Sequence, residues 1–165
     1  MIRYVIGRLS YFFLGGASLI LSLGIAYDYD WGMTLVGAAL VGLYVPLSTV
    51  SIAVWRAAQG KDPEEMTGVF GIKAVEIVPR LYNLYQRNRG IVVGATILTW
   101  LSSGSLIALW LEAVHPGAWE YTPGLLLFLT GGISLCGALA GPGLAVVALL
   151  LVENNSTRAN EVDER

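Results

Sequence analysis

Over most of this chain the apolar positions follow neither the period of a half-buried strand nor that of an amphipathic helix; they run in blocks. Four stretches, 9–27, 31–55, 91–111 and 124–152, contain no Lys, Arg, Asp, Glu or His. A helix needs about 20 mostly apolar residues to cross roughly 30 Å of hydrocarbon, and each stretch is close to that length or longer. Barrel strands would show short segments alternating with polar lumen residues, and runs such as "LLLFLTGG" and "LAVVALLLV" have no period of two. The pattern predicts an all-α, four-helix integral membrane bundle of two hairpins, a single membrane domain over 1–165 with a polar tail at 153–165.

Between the second and third blocks the pattern changes. Asp62 stands where an N-cap belongs, Pro63 at the first helical position, and acidic residues follow in the first turn, so a helix is expected to begin near Pro63. From there Lys73, Glu76, Arg80, Asn83 and Arg87 recur every three or four residues as a polar stripe. Phe70, Ala74, Ile77, Val78, Leu81, Leu84 and Tyr85 fill the opposite face. Segment 63–89 therefore reads as an amphipathic helix kinked at Pro79. It is too short to bury a core of its own. Its apolar face is expected to be covered by the membrane surface, with Lys73, Arg80 and Arg87 on anionic lipid head groups, or else by a protein partner.

Charge adds a direction. All ten basic residues fall before the first block, between the second and third, or after the fourth, while the other two links hold acids and no base. Basic residues in short loops stay in the cytoplasm, so both termini and the amphipathic segment are expected there. Trp31, Trp110, Trp119, Tyr27, Tyr29 and Tyr121 at one set of block ends, and Tyr4, Tyr11 and Trp55 at the other, suit interfacial anchors. A cleaved signal peptide over 1–26 fits less well, because the first apolar block exceeds the usual core of about 7–15 residues. The sequons at Asn154 and Asn155 would be out of reach of glycosylation on a cytoplasmic tail.

Composition agrees: 55% of residues are hydrophobic and 13% charged, against about a quarter charged in soluble domains. A net charge of −2 gives no footprint for nucleic acid. The single cysteine, Cys136, permits neither an internal disulfide nor a paired redox motif.

Helices in lipid associate through small residues and interhelical hydrogen bonds. Ser18, Ser22 and Ala26, then Ala38 and Gly42, then Gly137 and Gly141 have the required spacing, for packing within the chain or for a homo-oligomer. Pro46 and Pro142, the latter within Gly141-Pro142-Gly143, are expected to break the second and fourth helices and free the carbonyls of Gly42 and Ala138. Two matching breaks would suit an oligomeric channel or facilitator for a neutral or weakly polar solute, which requires a polar cavity beside Gly42 and Ala138. Kinks held by neighbouring helices are the plainer reading.

Chemistry is harder to find. No ionisable side chain lies in a span, so there is no embedded proton relay. The hydroxyls of "TWLSSGS" are expected to bond carbonyls or facing helices. Glu112 and His115 have a metal-binding spacing, but a di-iron bundle needs two such motifs and this chain has one histidine. Asp28 and Asp30 in "DYDW" read as a solvated turn. No catalytic residue, metal or cofactor is expected, and the function predicted is a structural or accessory component of a membrane assembly.

Overall fold

The computed structural model describes residues 2–26, 28, 30–66, 70–114, 116 and 123–163. Among them there are α-helices and 3₁₀ turns but no strand. The helices are α1 (Ile2–Ala26), α2 (Trp31–Ala58), α3 (Ala74–Arg87), α4 (Arg89–Val114) and α5 (Pro123–Asp163). Four of them contain stretches long and apolar enough to cross a membrane, Ile2–Ala26, Thr34–Ala58, Arg89–Trp110 and Thr130–Ser156. The helices overrun the charge-free blocks because loss of charge marks where hydrocarbon begins, not where the backbone stops being helical. At 1.5 Å per residue α5 is about 60 Å long, twice the hydrocarbon thickness, and it carries Glu153 and the polar tail on as helix.

The long helices pack in the order α1, α2, α5, α4, with the extensive contacts between successive members. Glycines decide where backbones come close. On α4 and α5, a Cβ at Gly137 would lie 2.5 Å from the Thr99 carbonyl oxygen and one at Gly141 2.6 Å from the Thr96 Cα. On α1 and α2, a Cβ at Gly42 would lie 3.0 Å from the Phe13 ring, one at Gly16 3.3 Å from Val41, and one at Gly24 would run into the Thr34 side chain. Gly42, Gly137 and Gly141 thus lie at helix contacts within the chain, and Ala38 is buried. The first helix differs from expectation: Ser18, Ser22 and Ala26 are exposed, and the packed row is Gly16, Ile20 and Gly24. Both rows have a four-residue repeat, but they differ by two positions, or about 200° around the helix. Ser18 and Ser22 instead bond carbonyls of their own helix, those of Gly15 and Ser18, at 3.0 and 2.8 Å.

Neither proline breaks its helix. Pro46 lies inside a continuous α2 and Pro142 inside a continuous α5. Beside Pro142 the N–H of Gly143 donates to Ser51 Oγ on α2 at 2.8 Å, and Ser51 also bonds the Leu47 carbonyl of its own helix at 3.2 Å. A neighbouring helix thus supplies the acceptor, which is how membrane helices tolerate proline.

The core sits at one end of this assembly, where the N-terminal turns of α1 and α4, the C-terminal half of α2, the later turns of α5 and the whole of α3 meet. The described basic residues outside α5 all belong to this end or to the adjoining link, and it is called the basic end below.

Candidate functional site

The amphipathic segment forms the candidate site. It starts as expected at Asp62, whose Oδ1 accepts the Glu64 N–H at 3.0 Å ahead of a 3₁₀ turn, Pro63–Met66. It does not run on as one helix. A second 3₁₀ turn, Gly71–Lys73, precedes α3, and Gly71 has φ +60°, a left-handed conformation that ends helix propagation and favours glycine. Residues 67–69 lie outside the described residues.

The N-terminus of α1 holds this turn. Tyr4 Oη donates to the Phe70 carbonyl at 2.7 Å and accepts from Arg8 Nε at 3.4 Å. The Tyr4 ring also has the Arg8 guanidinium 5.7 Å and the Lys73 ammonium 5.3 Å from its centroid. Tyr4→Phe removes one hydrogen bond and leaves the ring contacts, so a loss of about 1 kcal/mol is expected in reversible unfolding. Tyr4→Ala also removes the cation–π contacts and should cost at least twice as much.

From Ala74 the helix is continuous to Arg87, with Pro79 inside it on the exposed side. Its far end is a one-residue corner. The Asn88 N–H donates to the Leu84 carbonyl at 3.1 Å, its side-chain amide to the same oxygen at 3.0 Å, and its carbonyl accepts from Val92 N at 3.1 Å. The chain thereby turns from α3 directly into α4.

What covers the apolar face is now visible. Phe70, Ala74, Ile77, Val78 and Leu81 are fully buried and Leu84 nearly so. They share a single cluster with Val5 of α1, Val50 and Val54 of α2, Val92 of α4, and Val146 and Leu150 of α5. The expectation that lipid or a partner covers Phe70, Ile77, Val78, Leu81 and Leu84 is therefore corrected: the protein's own helices do. Valines and alanines at these helix ends leave room for the bulkier α3 side chains. Each Ile, Leu or Phe so buried contributes roughly 1.5–3 kcal/mol of transfer free energy. Tyr85 is half-buried, its ring stacked on Tyr82 at 6.4 Å.

The polar stripe stays outside. Lys73, Arg80 and Arg87 are exposed, and two of the three meet an acid from the tail: Arg80 reaches Glu153 at 3.2 Å and Arg87 reaches it at 3.8 Å. Glu153 was not foreseen. It is more than 60 positions away in sequence, and its only short-range signal is an acid where α5 leaves the apolar block. With the side chains 49%, 69% and 32% exposed, the triad is a surface network. Glu153→Gln should cost under about 1 kcal/mol at low salt, and the difference should shrink at 0.5 M salt in paired unfolding curves.

Neither a family model, nor a curated protein, nor a solved structure matches this chain.

Among the described residues the other sequence candidates form no group of three that could hold a metal. Asp28 has φ +51° in the short link after α1, and the Asp30 carbonyl accepts the Thr34 N–H and hydroxyl, both at 2.9 Å, to start α2. Glu112 lies exposed near the end of α4; His115, Trp119, Glu120, Tyr121, Tyr27 and Tyr29 lie outside the described residues. The hydroxyls of the "TWLSSGS" run are used in packing: Thr99 bonds the Ala95 carbonyl at 2.8 Å, Ser103 the Thr99 carbonyl at 2.5 Å, and Tyr44 of α2 meets Ser103. Beside Gly42 stands the Phe13 ring, and the cleft beside Ala138 and Pro142, about 370 Å³, has Ile52, Trp55 and Leu139 on its walls with one polar side chain, Ser51, already bonded to backbone. Those are apolar surroundings for the two sites where a solute path would need polar ones.

Proposed function

We propose that this chain is a multi-pass membrane protein without catalytic activity, a structural or accessory component of a membrane assembly. In this reading its four long helices form a bundle of two hairpins, both termini lie in the cytoplasm, and α3 is a built-in cytoplasmic cap. The observation that carries it is the burial of the α3 apolar face against all four long helices, which couples the cytoplasmic segment rigidly to the membrane part. A segment so held presents Lys73, Asn83 and Arg87 in a fixed arrangement on the surface, suited to anionic head groups or to an acidic face of a protein partner.

A channel for a weakly polar solute receives less support. The packed Gly42 and the apolar cleft at Ala138 and Pro142 work against a path through a single chain.

Purification from its native membrane in mild detergent, with identification of co-purifying chains, tests the accessory role. A stoichiometric partner whose retention falls in a Lys73→Glu, Arg87→Glu variant is expected. Recovery of the chain only as itself would contradict the role. Orientation is tested separately in a Cys136→Ser background, where an impermeant thiol reagent should label Ser156→Cys from the cytoplasmic side only.

A further inference from the structure

Helices α1 and α5 both lie on α2 yet barely touch each other. The reason is in the side chains. Where α4 meets α5, glycines sit against hydroxyl residues and the backbones close up; along the α1 and α5 line, Ile6 and Leu14 stand across from Val147 and Leu151. Bulk on both walls leaves a crevice of about 570 Å³, floored by Pro46 and Leu47 of α2. Its volume falls within the range of about 300–1,000 Å³ typical of small-molecule sites. In hydrocarbon such a space holds a hydrocarbon chain, because atoms lining an empty one forfeit their dispersion contacts.

Two of its lining residues, Leu9 and Val147, also pack against the core of the basic end, so the crevice borders that end, and the charge there selects the lipid. Arg3 lies one turn before Ile6 on α1, is exposed, and forms no ion pair among the described residues. The acid on α5 nearest the crevice in sequence, Glu153, two residues beyond Leu151, is engaged by Arg80 and Arg87. We propose that the α1–α5 crevice binds one hydrocarbon chain of an anionic membrane lipid, whose phosphate is taken by Arg3. The site is independent of the accessory role, since it requires only that the four helices span the bilayer.

The test uses the full-length protein, delipidated in detergent and titrated with phosphatidylglycerol or phosphatidylcholine while bound lipid is counted by native mass spectrometry. One phosphatidylglycerol per chain is expected, with phosphatidylcholine bound at least fivefold more weakly. Arg3→Gln should weaken phosphatidylglycerol about fivefold, a fold-change equivalent to ~1 kcal/mol, and phosphatidylcholine, whose choline offsets its phosphate, by less. Val147→Phe, which fills the crevice, should weaken both lipids; Leu14→Trp fills it from the other wall should the first variant fail to fold. Equal retention of the two lipids, retention unchanged by Arg3→Gln, or retention unchanged by the filling variants would each overturn the site. So would a chain dimer that the filling variants dissociate, because a second copy would then be the occupant.

Discussion

Replacing Leu81 with Glu is expected to unfold the basic end of the protein rather than to release it from a membrane or a partner. Leu81 is fully buried at the centre of the α3 face, in one cluster with Val50, Val54, Val146 and Leu150. Truncation to Ala should cost about 2–5 kcal/mol, the range for leucines in close-packed cores. A carboxylate there lacks any compensating cation in the cluster and must stay protonated or force the helix off its seat, so Leu81→Glu should exceed the Ala variant. Ile72→Glu, in the 3₁₀ turn that adjoins the helix at a residue 93% exposed, is the matched control and should stay within about 0.5 kcal/mol of the parent. Thermal unfolding in one detergent compares all three. A Leu81→Glu protein as stable as the Ile72→Glu control would mean that the face is not buried in the chain.

Gly143→Ala is expected to be the most damaging glycine substitution, for a backbone reason. Its Cβ would overlap the Leu47 carbonyl oxygen of α2, with the carbonyl carbon at 2.8 Å and Ser51 Oγ at 3.1 Å. A carbonyl within a helix cannot swing aside as a side chain can, so α2 and α5 must separate. That also lengthens the Gly143 N–H to Ser51 bond, now 2.8 Å. A loss of at least about 1–3 kcal/mol follows from overpacking, with up to about 1 kcal/mol more from the hydrogen bond. Gly94→Ala supplies a control of opposite sign. Nothing lies within 4 Å of a Cβ there, and Ala in an α-helix is favoured over Gly by about 1 kcal/mol. Unfolding in graded denaturing detergent should move the two variants in opposite directions, and a neutral Gly143→Ala would disprove the close α2–α5 approach.

The spans were legible in the sequence because burial in hydrocarbon leaves a signal at every residue: no charge for 19 or more positions. The helical face of α3 was legible as well, since Ala74, Ile77, Val78, Leu81 and Leu84 return with the helical period and all prove buried. Periodicity says which side of a helix seeks cover and nothing about what provides it. The cover consists of short side chains such as Val50 and Val146, which in the sequence look like any lipid-facing valine. The same limit applies to α1, where the row Ser18, Ser22, Ala26 and the row Gly16, Ile20, Gly24 have equal spacing and only contact of the second with Val41, Gly37 and Thr34 of α2 separates them. Long-range partners left no trace at all: Ser51 and Gly143 are 92 positions apart, and Arg80 and Glu153 73. The breaks expected at Pro46 and Pro142 proved to be continuous helix, and beside Pro142 a hydroxyl from a neighbouring helix, invisible in a local window, takes the Gly143 N–H.

The central claim is that α3 is a cap seated on its own helices. Methyl NOE spectroscopy of the protein in nanodiscs tests it most directly, with Ile, Leu and Val methyls labelled. Cross-peaks from Ile77, Leu81 and Leu84 to Val50, Val54, Val146 and Leu150 are expected, with none from these three side chains to lipid chains. Strong lipid cross-peaks from Ile77 and Leu81, without contacts to α2 and α5, would contradict the account.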